Sequence, residues 1–165
     1  MRRQLILAAL LLSTVACASS TTGDDQMAAV APMLSVERFL QAANARDLDA
    51  MARLFGTSSG PVADTGGTLG CAFKKMGSWI GLGRACSTRQ EVELRMDAIA
   101  RILQHQDYRI VDESRVAGRT APTRRIGVDL TFPDTTLSDV PFFVVESSEG
   151  RWLVEQIDLE RVTQR

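Results

Sequence analysis

The spacing of apolar residues changes period near residue 105, and that change restricts the fold of this chain more than any other feature. Ahead of it, Val36, Phe39, Leu40 and Ala43 fall at i, i+3, i+4 and i+7, one helical face, and predict a first helix from about Met33 to Ala45. Asp47 is placed to cap a short second helix with Leu48, Met51, Leu54 and Phe55 on its inner face and Gly56 as its stop. Ser87 with Gln90, and Thr88 with Glu91, form two overlapping capping boxes at the start of a long third helix. Its main stripe is Val92, Met96, Ile99 and Leu103. Leu94, Ala98 and Ile102 make a second apolar flank, so burial on more than one side is expected.

Beyond residue 105 the period becomes that of strands. Tyr108 to Val116 is β-prone, and Gly118 and Pro122 mark a turn. From Arg125 to Phe132 the chain alternates, with Ile126, Val128, Leu130 and Phe132 on one face and Gly127, Asp129 and Thr131 on the other. Pro133-Asp134 breaks the run, Val140 to Glu146 is rich in Val and Phe, Ser147 to Gly150 is a turn, and Arg151 to Leu159 is the returning strand. Helices followed by hairpin-linked strands predict an antiparallel α+β domain with the helices on one face of the sheet.

The N-terminus reads as an export signal. Arg2 and Arg3 precede an apolar run from Leu5 to Ala16, which is shorter than the ~20 residues needed to span a bilayer. Ser13-Thr14-Val15-Ala16-Cys17 resembles the lipobox of bacterial lipoproteins, although Thr14 stands where Leu is usual. The resemblance implies a signal peptide over 1–16, lipidation of Cys17 and a membrane-held N-terminus. Ala18 follows the cysteine, which favours the outer membrane facing the periplasm over inner-membrane retention. The alternative is an ordinary secretory signal in which Cys17 is incidental. Residues 17–31 are small and polar at first, as suits a flexible tether, and leave 32–165 as a single domain. With Arg2 and Arg3 removed, 17 basic residues face 20 acidic ones, so neither a nucleic-acid-binding face nor a polybasic lipid patch is implied.

Once Cys17 is assigned to lipid, Cys71 and Cys86 remain as an even pair in an oxidising compartment and are expected to form a disulfide. Closing a loop of about fifteen residues contributes ~3 kcal/mol on the chain-entropy model. The loop belongs to a Gly-rich insertion at about 56–86, where Gly60, Gly66, Gly67, Gly70, Gly77 and Gly81 leave the backbone much freedom. Neither GxxxxGK[ST] nor GxGxxG is present, so Gly81-Leu82-Gly83-Arg84 makes no phosphate loop.

Val36-Glu37-Arg38-Phe39-Leu40-Gln41-Ala42, then Arg46 to Phe55, and finally Gly150-Arg151-Trp152-Leu153-Val154-Glu155-Gln156-Ile157 resemble the nuclear-transport-factor-2-like superfamily, which includes ketosteroid isomerase and polyketide-cyclase-like enzymes. The resemblance implies a cone-like fold, with three N-terminal helices packed on a curved antiparallel sheet of about four strands and a pocket at the open end. The Gly-rich insertion departs from the compact version of that pattern.

An enzyme of this kind needs a carboxylate base in an apolar cavity and a donor for developing negative charge. The candidates for a pocket are Asp129 in mid-strand, Tyr108, the only tyrosine, and His105, the only histidine. His105 sits in a helix's last turn, where the dipole favours it without any catalytic role. Asp129 alternates with apolar neighbours and is expected on the face turned from the helices. With the faces reversed it would be a buried carboxylate with a raised pKa. No GxSxG elbow, HExxH motif or clustered metal-ligand spacing occurs, so no catalytic set, metal or cofactor is assigned. The reading that follows is an envelope lipoprotein binding a small apolar ligand or an envelope protein. The alternatives are a pocket enzyme of the isomerase, dehydratase or cyclase type, and a structural module that pairs as a homodimer.

Overall fold

A computed structural model describes residues 31–64 and 88–164. The signal, Cys17 and the tether, the Cys71 and Cys86 pair, the Ser87 to Gln90 box and the insertion beyond residue 64 lie outside the described residues. Helix α1 spans Pro32–Ala45 and α2 Leu48–Leu54. A two-stranded hairpin of β1 (Gly56–Thr57) and β2 (Gly60–Pro61) follows, then a 3-10 turn over Val62–Asp64. Helix α3 spans Arg89–Ile102; strands β3 (Asp107–Arg115), β4 (Thr123–Thr131), β5 (Thr136–Glu146) and β6 (Trp152–Ile157) come next, and α4 (Leu159–Thr163) ends the described chain.

The fold is α+β, and the four long strands pair antiparallel in the order β3-β4-β5-β6. The helices are not all N-terminal. Leu159 does not extend the last strand, because Asp158 caps α4 by accepting a hydrogen bond from Arg161 N at 3.1 Å, which leaves Val162 to pack into the core.

Local sequence explains the helix ends. Pro32 opens α1, where its missing N–H costs nothing. Arg46 closes it in the left-handed region at φ 53°, and Asp47 N donates back to the Ala42 carbonyl at 2.9 Å. The side chain of Asp47 then accepts from Ala50 N at 2.9 Å to start α2. That helix stops in extended backbone at Phe55 rather than at a left-handed glycine, and Gly56 instead enters β1. A side chain there would meet the β2 backbone and Leu153. At α3, Thr88 and Glu91 form a reciprocal capping box: Glu91 N donates to Thr88 Oγ1 at 3.3 Å, and Thr88 N to Glu91 Oε2 at 2.7 Å.

The core lies between the helices and one face of the sheet. Val36, Phe39, Leu40, Met51, Leu54, Met96 and Leu103 meet Ile126, Val128, Leu130, Val140, Phe142 and Val144, and each is at most 1% exposed. The stripe expected on α3 is buried, but its second flank is only partly so, with Ile102 half-buried against the core. Leu94 is 71% exposed and Ala98 is also exposed, so α3 presents one apolar face to the core. Two further contacts fix the helices to the far edge of the sheet. Ser35 Oγ donates to the Trp152 carbonyl at 2.6 Å, and Phe55 forms an isolated parallel bridge with Val154.

The pairing slips at one point in each of the three strand pairs: between Ile110 and Asp112 in β3, between Val128 and Leu130 against β5, and between Phe143 and Val144 against β6. Each slip leaves an additional residue on one strand and increases local twist. Strand β5 begins at Thr136, four residues before the apolar run, and its bulge places Asp139 in the left-handed region at φ 55°.

Candidate functional site

The pleat separates the three candidate side chains. Tyr108 pairs with Leu130 on the helix-facing side, whereas Asp129 pairs with Arg109 on the opposite side. His105 and Tyr108 come together, and Asp129 is not with them.

His105 lies just beyond α3 and is 8% exposed. Its Nδ1 donates to the Leu103 carbonyl at 2.7 Å, which fixes the Nδ1–H tautomer and leaves Nε2 as an acceptor. Asn44, near the end of α1, supplies the partner: its Nδ2 lies 3.2 Å from Nε2 and 3.1 Å from the His105 carbonyl, while its Oδ1 accepts from His105 N at 3.1 Å. Both amide protons of Asn44 are thus committed to one residue. Tyr108 meets the imidazole edge-on at 5.5 Å between ring centres, and its hydroxyl accepts from Gln41 Nε2 at 3.2 Å. The cluster clasps the end of α1 to the turn between α3 and β3, and every polar atom of the imidazole has a partner inside the protein.

On the outer face, Asp129 Oδ2 accepts from Arg109 at 2.8 Å and Oδ1 accepts from the Asp139 backbone N at 2.9 Å. The Arg109 guanidinium and, secondarily, the Asp139 amide hold the Asp129 carboxyl below the usual carboxylate range. A general base in an apolar cavity needs the reverse shift. Asp139 in turn accepts from Arg125 Nη2 at 2.7 Å, and Arg125 Nη1 lies 3.4 Å from Asp112. Gly127 makes this network possible. A Cβ there would fall inside van der Waals contact of Asp139 Oδ1 and crowd Arg125 and Val111. The left-handed backbone at Asp139, which Asp tolerates better than most residues, aims its amide at Asp129.

A separate ion pair joins the two-helix corner to α3. Arg46 meets Asp97, which also pairs with Arg101 at 2.9 Å, and the Arg46 hydrogen bond holds the Asp97 carboxyl low.

The sequence pointed to His105, Tyr108 and Asp129, but not to the residues that satisfy them. Asn44 and Gln41 sit 61 and 67 positions from their partners, and nothing local marks them. Asp139 had one local cue, a Ser-Asp pair ahead of an apolar strand, which reads equally as a loop. Family models, curated proteins and solved structures give no match to this chain. Among the described residues, no group of three His, Cys, Asp or Glu could hold a metal ion, and no helix is long and apolar enough to cross a membrane.

Proposed function

We propose that the chain is a membrane-anchored cell-envelope lipoprotein whose folded part, residues 32–165, is a nuclear-transport-factor-2-like cone that binds a small apolar ligand or an envelope protein rather than transforming a substrate. Lipid on Cys17 holds it at the outer membrane facing the periplasm, and a Cys71–Cys86 disulfide ties down the Gly-rich insertion.

Support for the cone comes from three helices ahead of the four-stranded sheet and from a register slip in every strand pair, since bulges bend strands. The preference for binding over catalysis rests on one observation. Asp129, the mid-strand carboxylate, is engaged by Arg109 and the Asp139 amide on the face turned from the helices. A lowered pKa and a committed pair of oxygens make it a poor proton acceptor. His105 is likewise consumed by Leu103 and Asn44.

Membrane fractionation tests the anchor. The wild-type chain should leave the membrane only in detergent, and Cys17→Ala should appear in the soluble fraction. Equal detergent dependence of both proteins would remove the lipid from this reading. Intact-mass spectrometry of the wild-type protein under native conditions tests the remainder. A co-purified apolar molecule supports the binding module, whereas turnover of an enolisable ketone abolished by Asp129→Asn would establish the enzyme instead.

A further inference from the structure

The hairpin loop between β3 and β4, residues 115 to 123, encloses an open depression of about 350 Å³. Ligand sites begin at roughly 300 Å³. Its lining includes Arg115, Arg119, Thr120 and Thr123 and no carboxylate, in a chain whose formal charge is −1.

The rim is fixed at both ends. Val116 N donates to the Thr123 carbonyl at 3.0 Å, the Thr123 hydroxyl donates to Ala121 O at 3.0 Å, and Glu146 N of β5 donates to Pro122 O at 2.9 Å. Gly118, at φ 77°, reverses the chain with open space where a Cβ would stand. Within this fixed frame the donors are unspent. Among the described residues, the backbone amides of Ala117, Gly118, Thr120 and Ala121 donate to no protein group, and the Arg115 side chain makes no ion pair or hydrogen bond. Arg119 has one partner, Glu155, with Nη1 3.2 Å from Oε2, and that carboxylate oxygen is buried without an aligned hydrogen bond. The guanidinium therefore keeps donors for a second anion.

We propose that this depression is a phosphate-binding site, which takes the phosphate group of a small monoester or of an anionic lipid headgroup. Phosphate fits the donor set. Guanidinium groups match its oxygens two at a time, and turn amides around a positive-φ glycine supply the concave donors that bind anions elsewhere. Two arginines less the Glu155 charge leave the site positive, and a phosphate monoester brings about −2. The volume exceeds one phosphate, which leaves room for an attached group.

The test is calorimetric titration at low ionic strength of the protein purified in a neutral sugar-headgroup detergent. Inorganic phosphate and short-chain phosphatidylglycerol are the two probes, and wild type is compared with Arg115→Gln and Arg119→Gln. Saturable binding is expected, weakened about tenfold by each substitution, the scale of one charge-assisted hydrogen bond. Binding of inorganic phosphate alone identifies a soluble phosphate compound as the source, and binding of the lipid alone identifies the headgroup. The Arg115 side chain makes no ion pair or hydrogen bond with another described residue, so Arg115→Gln should keep the wild-type circular dichroism spectrum and melting temperature. No saturable binding of either probe, or binding unchanged in both variants, would overturn the proposal.

Discussion

The two faces of the four-stranded sheet are made from the same strands and are held in opposite ways. Toward the helices, Ile126, Val128, Leu130, Val140, Phe142 and Val144 are fully buried and carry no charge. Away from them, Arg109, Asp112, Arg125, Asp129 and Asp139 form a linked set of ion pairs around a glycine. Apolar burial is non-directional and scales with area, so the inner face tolerates reshaping but not loss of volume. The outer face depends on where single atoms lie. A Cβ at Gly127 or a turned amide at Asp139 changes the whole set.

On this contrast, deletion of core volume should be the most damaging change. Phe142→Ala removes a ring with no exposure and should cost about 3–5 kcal/mol in urea or thermal unfolding. A loss below about 1 kcal/mol, within the scatter of ordinary surface changes, would mean the inner face is not the main source of stability.

Gly127→Ala probes the outer face by geometry rather than volume. It should destabilise by about 1–3 kcal/mol, because the added methyl displaces Asp139 and parts it from Arg125. The sharper test is a double-mutant cycle with Asp139→Gly. Glycine accepts φ 55° and removes the obstructing carboxylate, so the cost of Gly127→Ala should largely vanish in that background. Additive losses would place the constraint on Gly127 elsewhere.

The next step down belongs to the clasp between α1 and the α3–β3 turn. Asn44→Ala strips three hydrogen-bonded contacts from His105 and should cost about 1–2 kcal/mol, with amide exchange at His105 rising in step. Stability unchanged from wild type would show that water replaces Asn44 without loss.

Periodicity carried most of the architecture. Ile126, Val128, Leu130 and Phe132 alternate cleanly because one face is buried and the other is not, and the same alternation turns Asp129 outward. Thr88 and Glu91 announce α3 because a capping box is a local device. The start of β5 was hidden because Thr136, Ser138 and Asp139 are polar and the bulge breaks the two-residue period. Helix α4 is only five residues long, too short for a periodic signal, so Arg151 to Leu159 read as one strand. Leu94 and Ala98 misled for a different reason. Apolar residues on a helix do not define a buried face unless another element covers it, and among the described residues none covers Leu94 and Ala98. The ion-pair set and the His105 clasp were out of reach for a third reason, since both join residues brought together only by the fold.

The smallest effect expected is the pH dependence of the outer face, and its sign follows from Asp129. The folded chain holds this carboxyl below its unfolded value of roughly 3.9 through Arg109 first and the Asp139 amide second. Its contribution is therefore complete above about pH 4 and is lost as pH falls through the lower folded value. Arg109→Gln removes the larger cause, so the Asp129 carboxyl should titrate at higher pH in a carbon-detected NMR experiment, and the acid limb of the stability profile should shift the same way. Because Arg109 is 77% exposed, stability near neutral pH should barely change. The buried apolar residues of the inner face, Ile126, Val128, Leu130, Val140, Phe142 and Val144, offer no matching response, since none of them titrates. An acid limb identical in wild type and Arg109→Gln would show that the Asp139 amide alone holds Asp129 ionised, and that the outer face is governed by its backbone bulge rather than by its charges.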